Sequence, residues 1–232
     1  VLYGQSEGKL VTIAVNTLGV LYIVEQGESI QSVADLKGKT IVASGKGSTP
    51  EYALRYLLEK NGLDPDTDVT MDWKTEHSEC VSAIAAGTAT VAMLPQPYVT
   101  VAQSKIDGLR TALDLTEQWD SVGDGSAMIT GVAVANRDFA EANPEAVAEF
   151  LKEYQASVEW VNAHVEEAAE LIGEYGIVEA DVAKRALPEC NVVCITGAEM
   201  KEKLSGYLKV LYEQDPASVG GALPDDDFYY GA

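Results

Sequence analysis

The sequence predicts an α/β protein built on doubly wound sheets, and three observations lead to that prediction. Between Thr40 and Leu113, four β-branched or aliphatic runs alternate with three amphipathic segments, separated by short turns. Such alternation is typical of parallel strands joined by helices. A glycine-rich turn follows the first of these strands, and the chain after Asn136 is almost wholly helical in pattern.

The stretch 39–62 contains the clearest strand, turn and helix in the chain. Its strand, Thr40–Val42, is β-branched throughout, as parallel strands covered on both faces require. Two glycines in the turn 44–47 permit a positive φ and the close approach of a ligand. Two hydroxyl residues and an early proline at 48–50 begin the helix. Because the first turn of a helix has free N–H groups, this turn is suited to binding a small ligand.

The remaining elements follow in chain order. A break at 17–19 is typical of a strand that crosses between lobes, and 123–126 resembles a linker. We expect the acidic and aromatic tail to be an extended segment, packed down by Phe228 and Tyr229. We predict strands at 10–16, 20–24, 69–73, 90–94, 109–113 and 128–135, a helical turn at 32–36, and helices at 77–86, 97–104, 143–161, 166–175, 179–186 and 198–212.

The turns that follow the parallel strands should meet at one edge of the sheet. Connections between parallel strands are right-handed, so the turns around 44–49, 74–78 and 95–98 share the edge at which ligands bind. The segments before and after this unit contain too few strands to cover both faces of a second sheet. They form either a helical subdomain or a sheet whose other strands lie outside this chain.

Composition excludes several classes of function. The 232 residues include 37 acidic and 16 basic side chains, and the resulting charge of −21 repels nucleic acid and anionic membranes. No apolar run approaches the roughly 18 to 20 residues of a membrane span. The beginning has neither a signal-peptide pattern nor a methionine, so we expect residue 1 not to be the start of the natural gene product.

Three cysteines and two histidines are too scattered for a recognised zinc site. Cys190 and Cys194 are close enough in sequence for a small disulfide loop, and the alternative of a short core strand containing Cys194 stays open.

His77 and His164 lack partners in sequence, so we expect both at the surface. The acidic run 225–227 lacks the alternating pattern of a calcium loop and predicts a solvated tail.

Several phrases, taken together and in order, resemble one family over essentially the whole chain. The sequence is similar to the solute-binding proteins of the nitrate, sulfonate and taurine class of ABC importers, a group that includes binders of thiamine-precursor pyrimidines. The phrases are DLKGKTI at 35–41, SGKGSTPE at 44–51, LPQPYVT at 94–100, NTLGVLYIV at 16–24, TGVAVANRDF at 130–139, FLKEYQASVEWV at 150–161 and PDDDFYY at 224–230.

The resemblance implies a periplasmic-binding-protein-like fold of type II, with a ligand trapped between two α/β lobes. Residues 1–22 and 126–232 would form a helix-rich first lobe, and residues 23–125 a complete second lobe. Two crossings near 17–24 and 126–134 would join them. Family members also have a further first-lobe section and a leader, and both are apparently absent from this chain, so the first lobe would be incomplete.

Ser48 and Thr49 match the family position where hydroxyls and helix-start amides, next to Gly47, contact a polar ligand group. The alternative is a capping box, since Ser48 and Glu51 have the S-x-x-E spacing. A carboxylate in this first turn would compete with an anion. The sequence therefore favours a neutral or zwitterionic heterocycle over a simple anion such as nitrate.

Gln96 and Tyr98 follow the third strand of this lobe, where an amide and a phenol could bind a heterocycle. The alternative is helix capping with an ordinary, partly buried tyrosine. Trp73 and Thr75 end the second strand, although the tryptophan also fits a core position. The resemblance adds three candidate ligand contacts on the crossings, which are Asn16, Thr17 and Thr130, beside Gly131. Their alternative role is strand pairing without a ligand.

The first functional hypothesis is a non-enzymatic, monomeric binding protein without metal or cofactor that delivers its ligand to ABC permease subunits. The resemblance implies an extracytoplasmic location, either periplasmic or lipid-anchored on the outer face of the cytoplasmic membrane. The alternative is an enzyme on the same fold that resembles pyrimidine-precursor synthases and would need a committed histidine, or a lysine joined to pyridoxal phosphate. A third possibility, the effector domain of a transcription regulator, would require a DNA-binding segment upstream.

Overall fold

The chain forms two β-sheets flanked by helices in the computed structural model, which describes residues 2–122 and 125–232. The strands are β1 (Leu10–Leu18), β2 (Leu21–Gln26), β3 (Thr40–Ser44), β4 (Thr70–Lys74), β5 (Val91–Pro95), β6 (Leu109–Asp114), β7 (Ile129–Asn136) and β8 (Val192–Ile195). The α-helices are α1 (Leu2–Gln5), α2 (Thr49–Lys60), α3 (His77–Ala85), α4 (Tyr98–Lys105), α5 (Leu115–Val122), α6 (Arg137–Ala142), α7 (Pro144–Ala163), α8 (Val165–Glu174), α9 (Ala180–Ala186) and α10 (Gly197–Gln214). Short 3-10 helices cover Val33–Leu36, Leu187–Glu189, Pro216–Val219 and Asp226–Phe228.

The four strands predicted to be parallel do run in one direction, but a further strand enters their sheet. The strand order is β4-β3-β5-β2-β6. Strand β3 pairs in parallel with β4 and β5, whereas β2 pairs antiparallel with β5 and β6. The sheet is therefore mixed, because β2 arrives from the other sheet through the short link Gly19–Val20. The predicted break at 17–19 was placed too early, since β1 continues through Leu18.

The other sheet has the order β7-β1-β8, with both pairings antiparallel. It differs in this respect from the parallel strands expected of a doubly wound sheet. The pairing of β1 with β7 has a simple cause, because β1 leads out toward the larger sheet and β7 leads back from it. Strand β8 contains Cys194, which was one of the two alternatives for that residue.

Side chains alternate across the five-stranded sheet and build a core on each face. Ile41 faces the side covered by α2, where it belongs to the same apolar cluster as Leu57. Val42 faces the opposite side and clusters with Ile84 of α3 and Val99 of α4. Each such side chain contributes about 1.5–3 kcal/mol when it is fully buried. Helix α2 thus lies on one face of the sheet, and α3 and α4 lie on the other.

Helix α10 packs on the α2 side around a buried tryptophan. Trp119 lies between Tyr56 of α2, at 4.4 Å between ring centroids, and Tyr207 of α10, at 5.4 Å. Its Nε1 donates a hydrogen bond to Ser126 Oγ at 3.0 Å. A helix from residues 126–232 therefore shares a core with helices from residues 23–125. The division of the chain into two lobes at these boundaries stays a prediction.

Helix α5 was not predicted, although its signals are present. Asp114 Oδ1 accepts hydrogen bonds from the N–H groups of Thr116 and Glu117 at 2.7 and 3.4 Å and so caps the first turn. Leu115 and Trp119, four residues apart, supply its buried face. The predicted linker 123–126 begins where α5 ends, and its first two residues lie outside the described part of the chain.

The aromatic residues of the tail are packed down as expected, but the 3-10 helix Asp226–Phe228 replaces part of the predicted extended segment. Tyr229 is buried and forms an isolated parallel bridge with Thr12, and the N–H of Tyr230 donates to the Thr12 carbonyl at 3.0 Å. Phe228 packs edge-on against Tyr3. Within residues 2–122 and 125–232, no helix has both the length and the apolar character needed to cross a membrane.

Candidate functional site

The turns after β3, β4 and β5 meet at one edge of the five-stranded sheet, which we call the rim (residues 44–49, 75–77 and 96–98). Ser44 ends β3, His77 begins α3 and Tyr98 begins α4. The Ser44 Oγ and His77 Nδ1 atoms are 2.5 Å apart, and the His77 and Tyr98 ring centroids are 4.9 Å apart. The prediction that these three turns share an edge is therefore confirmed.

The surface position predicted for His77 is wrong. The imidazole is half-buried and contacts Ser44 and Tyr98. Its pKa is lowered by burial, and the nearby Glu76 carboxylate opposes that shift only in part. The ring is therefore mainly neutral at pH 7. Sequence reasoning missed this residue because its partners lie far away in the chain and only the parallel topology brings them together.

The glycine-rich turn uses its polar groups differently from the predicted capping box. Gly45 and Gly47 have φ angles of 87° and 73°, which favour glycine. Glu51 Oε2 accepts the N–H of Gly47 at 2.6 Å, and the Ser48 hydroxyl donates to the Gly45 carbonyl at 2.7 Å. Neither side chain caps the other residue's backbone. A carboxylate therefore already occupies a backbone N–H that an anionic ligand would need.

Gln96 and Tyr98 lie at the rim with part of their polar capacity unused. Gln96 Oε1 accepts a hydrogen bond from the Thr100 hydroxyl at 3.0 Å, so the side-chain oxygen of Gln96 caps the helix, as the capping alternative predicts. Its amide nitrogen has no hydrogen-bond acceptor among the described residues. Tyr98 is 37% exposed. Both side chains can therefore still donate hydrogen bonds to a ligand.

The crossing strands are tightly packed at Gly131. A Cβ atom at this glycine would lie 2.3 Å from Asn16 Oδ1 and 3.0 Å from Thr17 Oγ1. The Thr17 hydroxyl donates to Asn16 Oδ1 at 3.1 Å, and the Thr130 hydroxyl donates to the Leu18 carbonyl at 2.6 Å. The Thr130 hydroxyl is therefore engaged between the two paired strands, as the strand-pairing alternative predicts. Asn16 and Thr17 form a small polar group beside it.

A cavity of about 450 Å³ joins the start of α2 to the second crossing. Thr49, at the first position of α2, and Thr130, on β7, both line it. Leu204 and Leu208 of α10 form part of its apolar wall. Tyr207 also lines the cavity, with its hydroxyl fully buried near Thr49 and without a hydrogen bond of standard geometry among the described residues.

Of the ten predicted ligand-binding residues, Thr49 and Thr130 line this cavity. The other eight do not: Asn16, Thr17, Gly47, Ser48, Trp73, Thr75, Gln96 and Tyr98. Trp73 packs against the α2 side and lines a surface depression with Arg55, Pro65 and Met71. The Thr75 side chain is exposed, and its N–H donates to Glu79 Oε2 at 2.9 Å. The structure therefore separates the Trp73 and Thr75 side chains from the cavity.

The potential metal ligands in the described part of the chain are scattered. Among residues 2–122 and 125–232, no group of three or more histidine, cysteine, aspartate or glutamate side chains could bind an ion. The acidic run 225–227 is exposed, as predicted for a solvated segment, and it makes surface ion pairs: Asp226 with Lys201 at 3.0 Å and Asp227 with Arg137 at 3.3 Å. Cys190 and Cys194 are half-buried free thiols.

Comparison with known proteins gives consistent results. The family model described as "NMT1/THI5 like" matches residues 9–168. "Putative binding protein YtlA" of Bacillus subtilis is 25% identical over 130 residues, which are 56% of this chain and 36% of YtlA. The chain therefore spans little more than a third of that relative, and 59% of similar binding proteins from Brucella.

Two solved structures share the fold. A crystal structure of an ABC transporter from Parabacteroides distasonis has a TM-score of 0.77 and 24% identity, with coverage of 98% of this chain and 76% of that chain. The periplasmic aliphatic sulphonate binding protein SsuA from Escherichia coli has a TM-score of 0.72 and 21% identity, with coverage of 91% and 67%. At these identities the likeness establishes the α/β architecture of ABC substrate-binding proteins.

Proposed function

The chain belongs to the NMT1/THI5-like family, and from that membership we propose that it is the solute-binding component of an ABC importer. It captures a small polar molecule between two lobes and delivers it to a membrane permease. The observation that carries this proposal is the cavity shared by Thr49, at the rim of the larger sheet, and Thr130, on a crossing strand. A ligand in that position contacts both parts of the molecule and so favours their closed arrangement.

The ligand is a neutral or zwitterionic heterocycle rather than a simple anion. The Glu51 carboxylate accepts the Gly47 N–H, and Glu76 adds a further negative charge at the rim. Lys74 is paired with Asp72 at 2.9 Å, which leaves its charge largely compensated. The SsuA structure is described as a sulphonate binder, but a sulphonate here would meet these carboxylates. Repulsion between these carboxylates and a negatively charged ligand therefore disfavours the binding of an anion.

A thermal-shift panel tests the function and the ligand class together. We expect neutral pyrimidines to raise the melting temperature more than nitrate or taurine, because a ligand that binds only the folded state stabilises it. In Glu51→Gln, which removes the charge but keeps an acceptor oxygen, the response to nitrate should increase. Stabilisation of the unmodified protein by nitrate or taurine alone would contradict the ligand class, and no response to any compound would contradict the function.

We assign the protein to the extracytoplasmic side of the membrane, either free in the periplasm or held by a lipid anchor, with permease subunits as partners. Support comes from the SsuA structure, which is described as periplasmic. We also propose that the protein is a monomer, since a net charge of −21 makes copies repel one another.

One observation favours the alternative that the protein is an enzyme, namely the short contact between Ser44 Oγ and His77 Nδ1. A nucleophile and a base in such contact can begin covalent catalysis. For the pyridoxal-phosphate version of this alternative, Lys46 and Lys74 are the lysines near the rim. We expect no stoichiometric Schiff-base absorbance when the protein is incubated with pyridoxal phosphate, because Lys74 is engaged by Asp72 and Lys46 is exposed to solvent. A full-strength absorbance band would favour the enzyme.

A further inference from the structure

Two aromatic rings form a ledge at the rim. His77 and Tyr98 begin helices α3 and α4, and their ring planes are tilted by 47° with the centroids 4.9 Å apart. Neither ring belongs to an apolar core cluster of the described residues. Tyr98 remains 37% exposed although its neighbours Val99 and Thr100 are buried. The ledge is therefore available to a planar ligand that stacks on it, as aromatic rings do in offset or edge-to-face arrangements.

Ser44 determines how the imidazole is presented. Its side chain is buried, with 4% of the residue exposed, and its Oγ contacts His77 Nδ1. A hydroxyl and an imidazole can share this hydrogen bond in either tautomer. In both cases Nε2 is the ring nitrogen left over, and it has no hydrogen-bond partner in the described part of the chain. One polar atom of fixed orientation therefore remains on the ledge.

The charge around the imidazole favours an uncharged partner. Burial lowers the pKa of His77, and Glu76 on its own helix is the charged group that opposes this shift. From the other elements, β3 contributes the hydroxyl of Ser44, and α4 contributes the ring of Tyr98. A neutral imidazole provides no cation for a sulfonate or a nitrate. It can instead exchange one hydrogen bond with a neutral ring.

Ser44, His77 and Tyr98 are not among the residues that line the 450 Å³ cavity, so the ledge is a separate contact surface at the rim. We propose that His77 contacts a ligand there directly through Nε2 and its ring face, and that with Tyr98 it selects a planar, uncharged ring bearing a hydrogen-bonding group at its edge. Ser44 is a positioning residue that fixes the orientation of the imidazole. This inference rests on the proposed function and adds a residue that the sequence had suggested to be part of the surface.

The chain offers a clean experiment because it contains only two histidines. His164 is the internal control, since it lies at the end of α7, stacked on Trp160. The protein is labelled with ¹⁵N-histidine and titrated with cytosine, with nitrate as the anionic comparison. We expect cytosine to shift the His77 ring resonances and to lower the His77 titration midpoint further, because a ligand that prefers the neutral ring stabilises it. The His164 signals should not move.

Affinity measurements on variants complete the test. His77→Ala should weaken cytosine binding about tenfold or more, which corresponds to about 1.4 kcal/mol. His77→Gln, which keeps a hydrogen-bonding group, should recover part of this loss. Ser44→Ala should cause a smaller loss while the His77 resonances broaden or shift, and His164→Ala should bind as the unmodified protein does.

The outcomes separate this inference from the proposed function. Cytosine binding with unchanged His77 resonances and an unchanged affinity in His77→Ala would overturn the role of His77 and leave the binding function intact. Binding of nitrate alone would have the same effect. If neither compound, nor any other in the thermal-shift panel, binds the unmodified protein, the proposed function falls and this inference falls with it.

Discussion

Replacing Glu25 with alanine is expected to lower the free energy of unfolding by about 3–5 kcal/mol, as breaking a buried ion pair does. The Glu25 side chain on β2 is only 3% exposed. Its oxygens accept hydrogen bonds from the N–H groups of Ser29 and Ile30 at 3.0 and 3.1 Å, from the Ser29 hydroxyl at 2.5 Å, and from Arg110 at 2.7 Å. Alanine would leave these donors, one of them charged, without their acceptor.

Urea unfolding measures the effect of this substitution, and Glu28→Ala supplies the matched control. Glu28 lies three residues away, is exposed, and its carboxylate makes no ion pair in the described part of the chain. A loss in Glu25→Ala of less than about 1 kcal/mol relative to this control would show that water replaces the carboxylate at little cost.

Glu25 also makes stability depend on pH. Burial alone would raise its pKa, but the hydrogen bonds from Ser29, Ile30 and Arg110 outweigh burial and lower it below the usual value of 4.5. The folded state therefore binds this proton less readily than the unfolded state. The resulting stabilisation is present above about pH 4.5 and is lost as the pH falls through the lowered pKa. Glu25→Ala should lack this component of the acid transition.

Gly19→Val is the second substitution with a large expected effect, about 3 kcal/mol of destabilisation from overpacking. A Cβ atom at Gly19 would lie 2.1 Å from Met128 Cε and 2.2 Å from Thr116 Oγ1. The backbone here cannot easily retreat, because the Gly19 carbonyl accepts a hydrogen bond from Asn191 Nδ2 at 2.6 Å. The φ angle of Gly19 is not in the left-handed region, so the cost is steric rather than conformational.

The matched control for this substitution is Gly4→Val in α1. A Cβ atom at Gly4 has no heavy atom within 4 Å, so only a small change in stability is expected there. Thermal unfolding of both variants makes the comparison. Equal melting temperatures would mean that Met128 and Thr116 move aside freely, and the link between the two sheets would then not be as tightly packed as we infer.

Local patterns were sufficient to predict most of the larger sheet. Thr40–Val42 and the helix after it were predicted because burial on both faces and the 3.6-residue period leave signals within a short stretch. The insertion of β2 was not predictable in this way, because its direction depends on where β1 delivers the chain. Helix α5 was missed because a single capping aspartate, Asp114, and two buried residues are a weak signal among polar neighbours.

The candidate site was predictable only in part, for a related reason. The topology rule correctly predicted that the turns around 44–49, 74–78 and 95–98 share an edge, and Thr49 and Thr130 line one cavity. Trp73 was suggested by its place at a strand end, yet that position faces the α2 side of the sheet. His77 was dismissed since a pair such as Ser44 and His77 has no sequence spacing of its own. Tyr207 comes from a distant helix and carried no local signal.

The buried position of Trp119 makes it an intrinsic optical probe. Its indole contacts Tyr56 of α2 and Tyr207 of α10. Its N–H donates a hydrogen bond to Ser126, just before the second crossing. Any rotation of α10 relative to α2 would alter its emission wavelength and quantum yield. In a variant whose other two tryptophans, Trp73 and Trp160, are replaced by phenylalanine, fluorescence can therefore follow the proposed closing movement in real time without an attached dye.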